Sequence, residues 1–241
     1  MILELDCGNS FIKWRINPKP EIYTSYSLNE LFTTLANIEY AKLTKARISS
    51  VRSDLETIQI AAKIKMRFGI DVQIAKSTAF CAGVTNGYIE PHKLGVDRWL
   101  DIIAAYHLQQ EACMVLDLGT AITVDFVDRK GKHLGGFICP GLPLMRNSLQ
   151  VHTSKILYDF HDTSGCLSSN KPGTFTAEAV EKGCATMICN FAAQQVNYAE
   201  QILGKHQVFV TGGDANLVKN TLNYANFMPD LVFIGLSLAC P

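Results

Sequence analysis

The chain has 241 residues, 48% hydrophobic and 18% charged, with 22 basic and 22 acidic side chains. That length can bury a substantial core as one large domain or two small ones, and the balanced charge gives no bulk attraction for nucleic acid or an anionic membrane. No apolar run reaches the ~18 residues of a membrane span, and Glu4 and Asp6 stand where a signal peptide needs a basic start and an apolar core, so a cytoplasmic location is expected.

Three strands are predicted at the start, over 2–6, 10–16 and 21–26, with Asn17-Pro18-Lys19-Pro20 turning the chain between the second and third. Ser27-x-x-Glu30 is a capping box that opens a short helix to about Ala36. Residues 46–51 read as a buried strand, and Ser53-x-x-Glu56 opens a second helix. Leu55, Ile58, Ala62 and Met66 step by three and four, which predicts that they face inward. Lys63, Lys65 and Arg67 read as a solvated face, and 71–75 as the next strand. Between 80 and 98, Gly83, Gly87, Pro91 and Gly95 punctuate a long loop that carries Tyr88, His92, Asp97 and Arg98. Loops of that length in compact domains are usually functional or disordered, and Tyr88, Ile89 and Trp99 argue against disorder. A helix follows from Trp99, with Leu100, Ile103, Ala104, His107 and Leu108 expected on its inner side.

The same order then restarts. Strands are predicted near 113–117, 121–127 and 132–138, and a helix over roughly 142–151. Gly135-Gly136 and Pro140-Gly141 mark tight turns or close approaches, and 159–173 reads as a surface loop. A long helix begins near Thr176, with Val180, Cys184, Met187 and Phe191 in the core. Residues 207–211 form a strand, Gly212-Gly213-Asp214 a turn, a helix runs to about Tyr224, and Leu231–Ile234 is expected to close the sheet as a strand. The eight cysteines, Cys7, Cys81, Cys113, Cys139, Cys166, Cys184, Cys189 and Cys240, form no Cys-x-x-Cys pair. They read as reduced, buried thiols rather than a zinc site.

The restart is a repeat. Asp6-x-Gly8-Asn9 and Asp117-x-Gly119-Thr120 each follow an apolar strand and precede a second one, 117 − 6 = 111 residues apart. One such turn is an ordinary hairpin. Two at matched places suggest two copies of one domain, 1–110 and 111–241. Glycine lets the backbone approach a ligand closely, successive N–H groups form an anion-binding concavity, and a terminal Asp can hold a cation that bridges phosphate oxygens. Lys13 is four residues past Asn9 and can reach the same phosphates. Thr211-Gly-Gly puts glycine where a helix N-terminus can meet a nucleotide, or simply makes a tight turn. Asp97-Arg98 offers a proton acceptor for a substrate hydroxyl beside a planar fork for a carboxylate. It reads equally as a surface pair that caps the helix from Trp99.

Together these features resemble the actin, heat-shock chaperone and sugar-kinase superfamily. That resemblance implies an α/β fold of two ribonuclease-H-like domains, each β-β-β-α-β-α-β-α with a mixed sheet, and ATP in the cleft between them. Asp6-x-Gly-Asn-Ser-x-x-Lys13, Gly95-x-Asp-Arg98, Asp117-x-Gly-Thr120, Pro140-Gly141 and Thr176-x-x-Ala179-Val180, in that order, further resemble the bacterial type III pantothenate kinases over essentially the whole chain. This resemblance implies ATP-dependent phosphorylation of pantothenate to 4'-phosphopantothenate, the first step of coenzyme A biosynthesis. It implies that Asp6, Cys7, Gly8, Asn9, Ser10, Phe11, Ile12 and Lys13 hold ATP phosphates, with Thr120 adding a contact. Asp97 is then the base, and Tyr88, Gly95, Val96, Asp97, Arg98 and Thr176 hold pantothenate. Asp117 is implied to bind a monovalent cation, K+ or NH4+, and Mg2+ to accompany ATP near Asp6. A homodimer is implied, with pantothenate near the subunit interface, so that Thr176 acts in its own site or its neighbour's. One departure is Phe175, where the family often has a polar residue. Two alternatives stand beside this reading: a kinase of the same superfamily for a sugar or carboxylate, and a non-catalytic regulatory relative.

Overall fold

The computed structural model describes residues 1–36, 43–156, 167 and 171–241. Strand β1 (Ile2–Cys7) pairs antiparallel with β2 (Ile12–Asn17), which pairs antiparallel with β3 (Tyr23–Ser25). In β2 the alternation of a half-buried strand puts Ile12, Trp14 and Ile16 in the core and Lys13, Arg15 and Asn17 on the other face. Trp14 stacks on Tyr23 with ring centroids 4.5 Å apart, and its indole N–H donates to Ser25 Oγ at 3.0 Å. Helix α1 (Leu28–Ala36) precedes β4 (Lys45–Ser50), which lies parallel to β1. Helix α2 (Asp54–Phe68) then crosses to β5 (Asp71–Ile74), parallel to β4, giving the order β3-β2-β1-β4-β5. The capping box of α2 is formed at both ends: Ser53 Oγ accepts from Glu56 N–H, and the Glu56 carboxylate accepts from Ser53 N–H. The inward face of α2 differs from the expectation. Thr57, Ile60 and Ile64 are buried, whereas Leu55, Ile58 and Met66 are exposed. Two apolar stripes of similar spacing compete on this helix, and the wider packing selects the other one.

The stretch after β5 is more ordered than a loop. β6 (Phe80–Cys81) and β7 (Val84–Thr85) form a small hairpin, and Pro91–Lys93 make a 3-10 turn. Helix α3 (Val96–Gln109) has Gly95 as its N-cap, so Asp97 and Arg98 sit in its first turn rather than in a preceding loop. Every residue of α3 from Arg98 to Ala105 is buried, while His107 and Leu108 are exposed, against the expectation for those two.

The second sheet repeats the first. β8 (Cys113–Leu118), β9 (Ala121–Val127) and β10 (His133–Pro140) are followed by α4 (Leu142–His152), α5 (Thr176–Leu203), β11 (Gln207–Thr211) and β12 (Asn226–Phe227). The order β10-β9-β8-β11-β12 is again third, second, first, fourth, fifth, and β11 runs parallel to β8 and to β12. Val180, Cys184, Ile188 and Ala192 of α5 enter this core, but Met187 is 63% exposed. The helix expected after Asp214 is only a 3-10 segment, Ala215–Val218. The expected loop over 159–173 lies outside the described residues except for 167 and 171–173.

Leu231–Ile234 is not a strand. It opens helix α6 (Leu231–Ala239), most of which is buried. A four-residue apolar run has no period to distinguish the two states. α6 packs on α3 so closely that a Cβ on Gly235 would collide with the Leu100 backbone. By contacts the chain forms two compact units, Met1–Glu111 with Val127–Gly135 and Asp230–Pro241, and Ala112–Phe126 with Gly136–Pro229. The segments 127–135 and 230–241 thus group with the first half of the chain.

Gly235→Ala is expected to destabilise the protein by about 1–3 kcal/mol through overpacking. Gly183→Ala in α5, where a Cβ meets nothing within 4 Å, is the control. It should hold or raise the melting temperature, since alanine is the better helix former. Equal melting temperatures for the two variants would refute the close α3–α6 contact.

Candidate active site

Asp6, Lys13 and Ser49 are cross-strand neighbours in the first sheet and share one face. Asp6 is pushed from its ordinary 3.8 up to about 6, first by burial and then by the charge of Asp97, with Lys13 and a hydrogen bond from Ser49 opposing. The strand β1 and the first turn of α3 thus bring Asp6, Lys13 and Asp97 together. Asp97 Oδ1 accepts the Arg98 N–H at 2.8 Å, and a side chain at Gly95 would crowd that same oxygen. In the turn after β1, Asn9 and Ser10 are exposed, whereas Cys7 and Ile12 send their side chains into the core. Those two can offer a ligand only backbone atoms. Burial and the Asp6 charge push the Cys7 thiol up to about 12, so it stays protonated. Lys13 Nζ lies 5.8 Å from the Phe11 ring centre. Arg52, just after β4, donates from Nε to the Gly8 carbonyl at 2.8 Å and braces the turn.

Arg98 is buried, at 5% exposure, and donates from Nη1 to the Tyr88 hydroxyl at 2.7 Å. Its guanidinium carbon lies 5.5 Å from the Tyr88 ring centre. Tyr88 is oriented by Asn86, whose Oδ1 accepts the Tyr88 N–H at 2.9 Å and whose amide donates to the Thr78 and Pro91 carbonyls. Gly95, Val96, Asp97, Arg98 and Tyr88 are therefore one group on the first unit.

In the second unit, glycines crowd the Asp117 turn. A Cβ on Gly212 would collide with Asp117 Oδ1 and the Leu118 carbonyl, and one on Gly141 with the Gly119 carbonyl. The turn is tied by Gly141 N–H to the Thr120 carbonyl at 3.0 Å and Asp214 N–H to the Leu118 carbonyl at 2.9 Å. Pro140-Gly141 and Thr211-Gly-Gly thus both buttress Asp117-x-Gly-Thr120. Without an α-helix after Gly213, the nucleotide-facing helix N-terminus expected there is not formed. Thr176 is the exposed first residue of α5, beside a cavity of about 450 Å³ whose walls include Leu149, Ile156, Val180, Cys184 and Met187. The start of α5 is capped from within, Glu178 accepting the Thr174 N–H at 2.9 Å.

The sequence profile of the type III pantothenate kinases matches residues 2–198. The chain is 50% identical to the type III pantothenate kinase of Ectopseudomonas mendocina and 47% identical to that of Pseudomonas aeruginosa, in each case over all of this chain and 99% of the relative. The chain belongs to the type III pantothenate kinase family. Among solved structures it resembles a Campylobacter jejuni protein described as a Baf family transcriptional activator (TM-score 0.61, 22% identity, 98% and 95% of the two chains). It also resembles the activator of 2-hydroxyisocaproyl-CoA dehydratase from Clostridium difficile with bound ADPNP (TM-score 0.52, 13% identity, 99% and 92%). These two show the two-domain α/β fold expected from the repeat.

The donors of this pantothenate kinase family member fit the metals expected for it. Magnesium takes one or two carboxylates plus phosphates and waters, and Asp6 beside Asp97 is such a pair, with the buried Ser49 hydroxyl next to it. No cluster of three His, Cys, Asp or Glu side chains that could hold a metal occurs among the described residues. Close to the Asp117 carboxylate, Gly212 leaves open a place where a Cβ would meet both Asp117 Oδ1 and the Leu118 carbonyl. Among the described residues no helix is long and apolar enough to cross a membrane. Sequence reasoning passed over Arg52, Ser49 and Asn86. The signal available for Ser49 and Arg52 was their place at the carboxyl end of a strand parallel to β1, where α/β proteins bind ligands. Also missed was a buried pair in the second unit: Arg146 donates through Nε and Nη2 to Glu181, from Nε at 2.6 Å, with Asp214 near enough to feel both charges.

The raised Asp6 value makes stability depend on pH. Between about 3.8 and about 6 the folded protein keeps the Asp6 proton while the unfolded chain has lost it, so this carboxyl lowers stability as pH rises through that window. Asp6→Asn removes the effect. In urea unfolding without nucleotide or metal, its stability relative to wild type should increase from pH 4 to pH 7. A difference that is flat with pH would refute the burial of Asp6 beside Asp97.

Proposed function

We propose that this protein transfers the γ-phosphoryl group of ATP to the primary hydroxyl of pantothenate, the first step of coenzyme A biosynthesis. The observation that carries the reading is the adjacency on one unit of Asp97 to Asp6 and Lys13, in a chain that belongs to this family. The Asp6–Lys13 turn grips ATP phosphates through the backbone of residues 7–12 and the Lys13 ammonium, and Thr120 offers them a hydroxyl. Pantothenate lies along Gly95, Val96 and Tyr88, with Arg98 reading its carboxylate and Thr176 adding a contact. Asp97 accepts the proton of the hydroxyl as its oxygen attacks the γ-phosphorus. The new O–P bond forms, the bond to the bridging oxygen breaks, and ADP leaves. Asp6 would hold Mg2+ and Asp117 would hold K+ or NH4+, and these cations would supply neutralisation of the phosphate charge. An isolated carboxylate beside a triphosphate would repel it.

The enzyme works in the cytoplasm as a homodimer. Exposed apolar residues beside the α4–α5 cavity, Phe175 at 53% and Met187 at 63%, support that assembly. Neither nucleic acid nor membrane takes part.

A coupled assay for ADP release, with and without pantothenate, tests the reading. Asp97→Asn keeps the shape and removes the proton acceptor, so kcat should fall by about 10²–10⁴-fold with ATP binding kept. Turnover within about threefold of wild type would remove Asp97 from the role. The same assay in K+, NH4+ and Na+ at equal ionic strength tests the second cation. Activity should be high in the first two and low in Na+, and Asp117→Asn should weaken the K+ response. Turnover indifferent to K+ in the wild type would sink the monovalent site.

A further inference from the structure

His133 belongs to no motif in the sequence, yet it is fully buried at 0% exposure. It opens β10 and lies in the segment 127–135 that groups with the first unit. That segment docks on the chain just before Tyr88. Thr85 N–H donates to the Gly131 carbonyl at 2.9 Å, and Thr85 bridges to Lys132 in parallel. Gly87 N–H donates to His133 Nδ1 at 3.3 Å, which requires that nitrogen to carry a lone pair rather than a proton. A Cβ on Gly87 would collide with the His133 carbonyl, so the two backbones meet without a side chain between them. The His133 ring then stacks on Tyr88, with centroids 6.1 Å apart and planes 13° from parallel. Tyr88 in turn holds the Arg98 guanidinium.

We infer that His133 is a positioning residue for the substrate carboxylate: it fixes Tyr88 from below and so holds the Arg98 fork ready to bind. A planar fork binds a carboxylate bidentately only when its orientation is set. An arginine released from its partner loses that preorganisation. The inference rests on the proposed role of Arg98.

Two variants separate the two contacts. His133→Asn keeps an acceptor near the place of Nδ1 and loses the ring. His133→Phe keeps a ring to stack and loses the acceptor. Steady-state kinetics are measured with pantothenate and with its amide, which lacks the carboxylate, and Arg98→Lys is run alongside. In both His133 variants KM for pantothenate should rise by about 3- to 10-fold, the worth of one hydrogen bond or ring contact. KM for ATP should not follow, kcat should change less than KM, and the effect should shrink for the amide. A purely structural role would move all of these together. Equal losses on acid and amide, or none, overturn the inference. So does failure of both variants to fold, since His133 is then needed for the fold itself. If Arg98→Lys separates acid from amide and the His133 variants do not, only the inference fails. If Arg98→Lys does not separate them, the reading of Arg98 fails and this inference goes with it.

Discussion

Two carboxylates held on one rigid framework dominate this molecule. Asp6 closes a strand and Asp97 sits in the first turn of a helix, near enough for the charge on Asp97 to help lift Asp6 to about 6. Like charges in a poorly solvated place do not both ionise cheaply. Lys13 and Ser49 offset only part of the penalty. Close packing behind α3 holds Asp97 in place. The helix is buried all along Arg98–Ala105, and α6 lies so close that only glycine fits at 235. A second constraint ties α6 back to the first sheet. Arg15 pairs with the fully buried Glu4 at 2.7 Å, with Asp230 just before α6 at 3.3 Å, and lies over Phe233. Arg47 adds its own bond to Glu4 at 2.8 Å. Buried charge is tolerated here because each partner is paired, and the pairing fixes the element that packs on α3.

What could be read from the sequence was mostly local. The two Asp-x-Gly turns stood out because strand, turn and strand follow within about a dozen residues, and the matching sheet orders show why the pattern occurs twice. Capping boxes were legible for the same reason: Ser53 and Glu56 satisfy each other three residues apart. The misreadings all involve a choice made at long range. α2 carries two apolar stripes, and nothing within the helix says that Ile60 and Ile64 rather than Leu55 and Met66 meet the sheet. Leu231–Ile234 looks like a buried strand because α6 is covered on most sides and lacks a polar face to set the period. Within the candidate site, Asp97 and Arg98 were legible as chemistry, since an acid beside a guanidinium suggests a hydroxyl and a carboxylate. Their support was not. His133 meets Gly87 across 46 residues of chain, and no short-range pattern marks such a contact.

The two copies of the turn differ in what surrounds the aspartate. In the first unit the Asp-x-Gly turn is flanked by a second carboxylate, a lysine and a buried hydroxyl. Strong charge and few ligands suit a small divalent ion that brings its own waters and shares phosphate oxygens. In the second unit, Gly212 keeps a side chain away from Asp117 Oδ1 and the Leu118 carbonyl, while Gly141 does the same for the Gly119 and Thr120 carbonyls. Gly212 can take this position only because its φ of +95° is open to glycine. The strand delivers the aspartate to the same place in each sheet, and the neighbours decide what chemistry surrounds it.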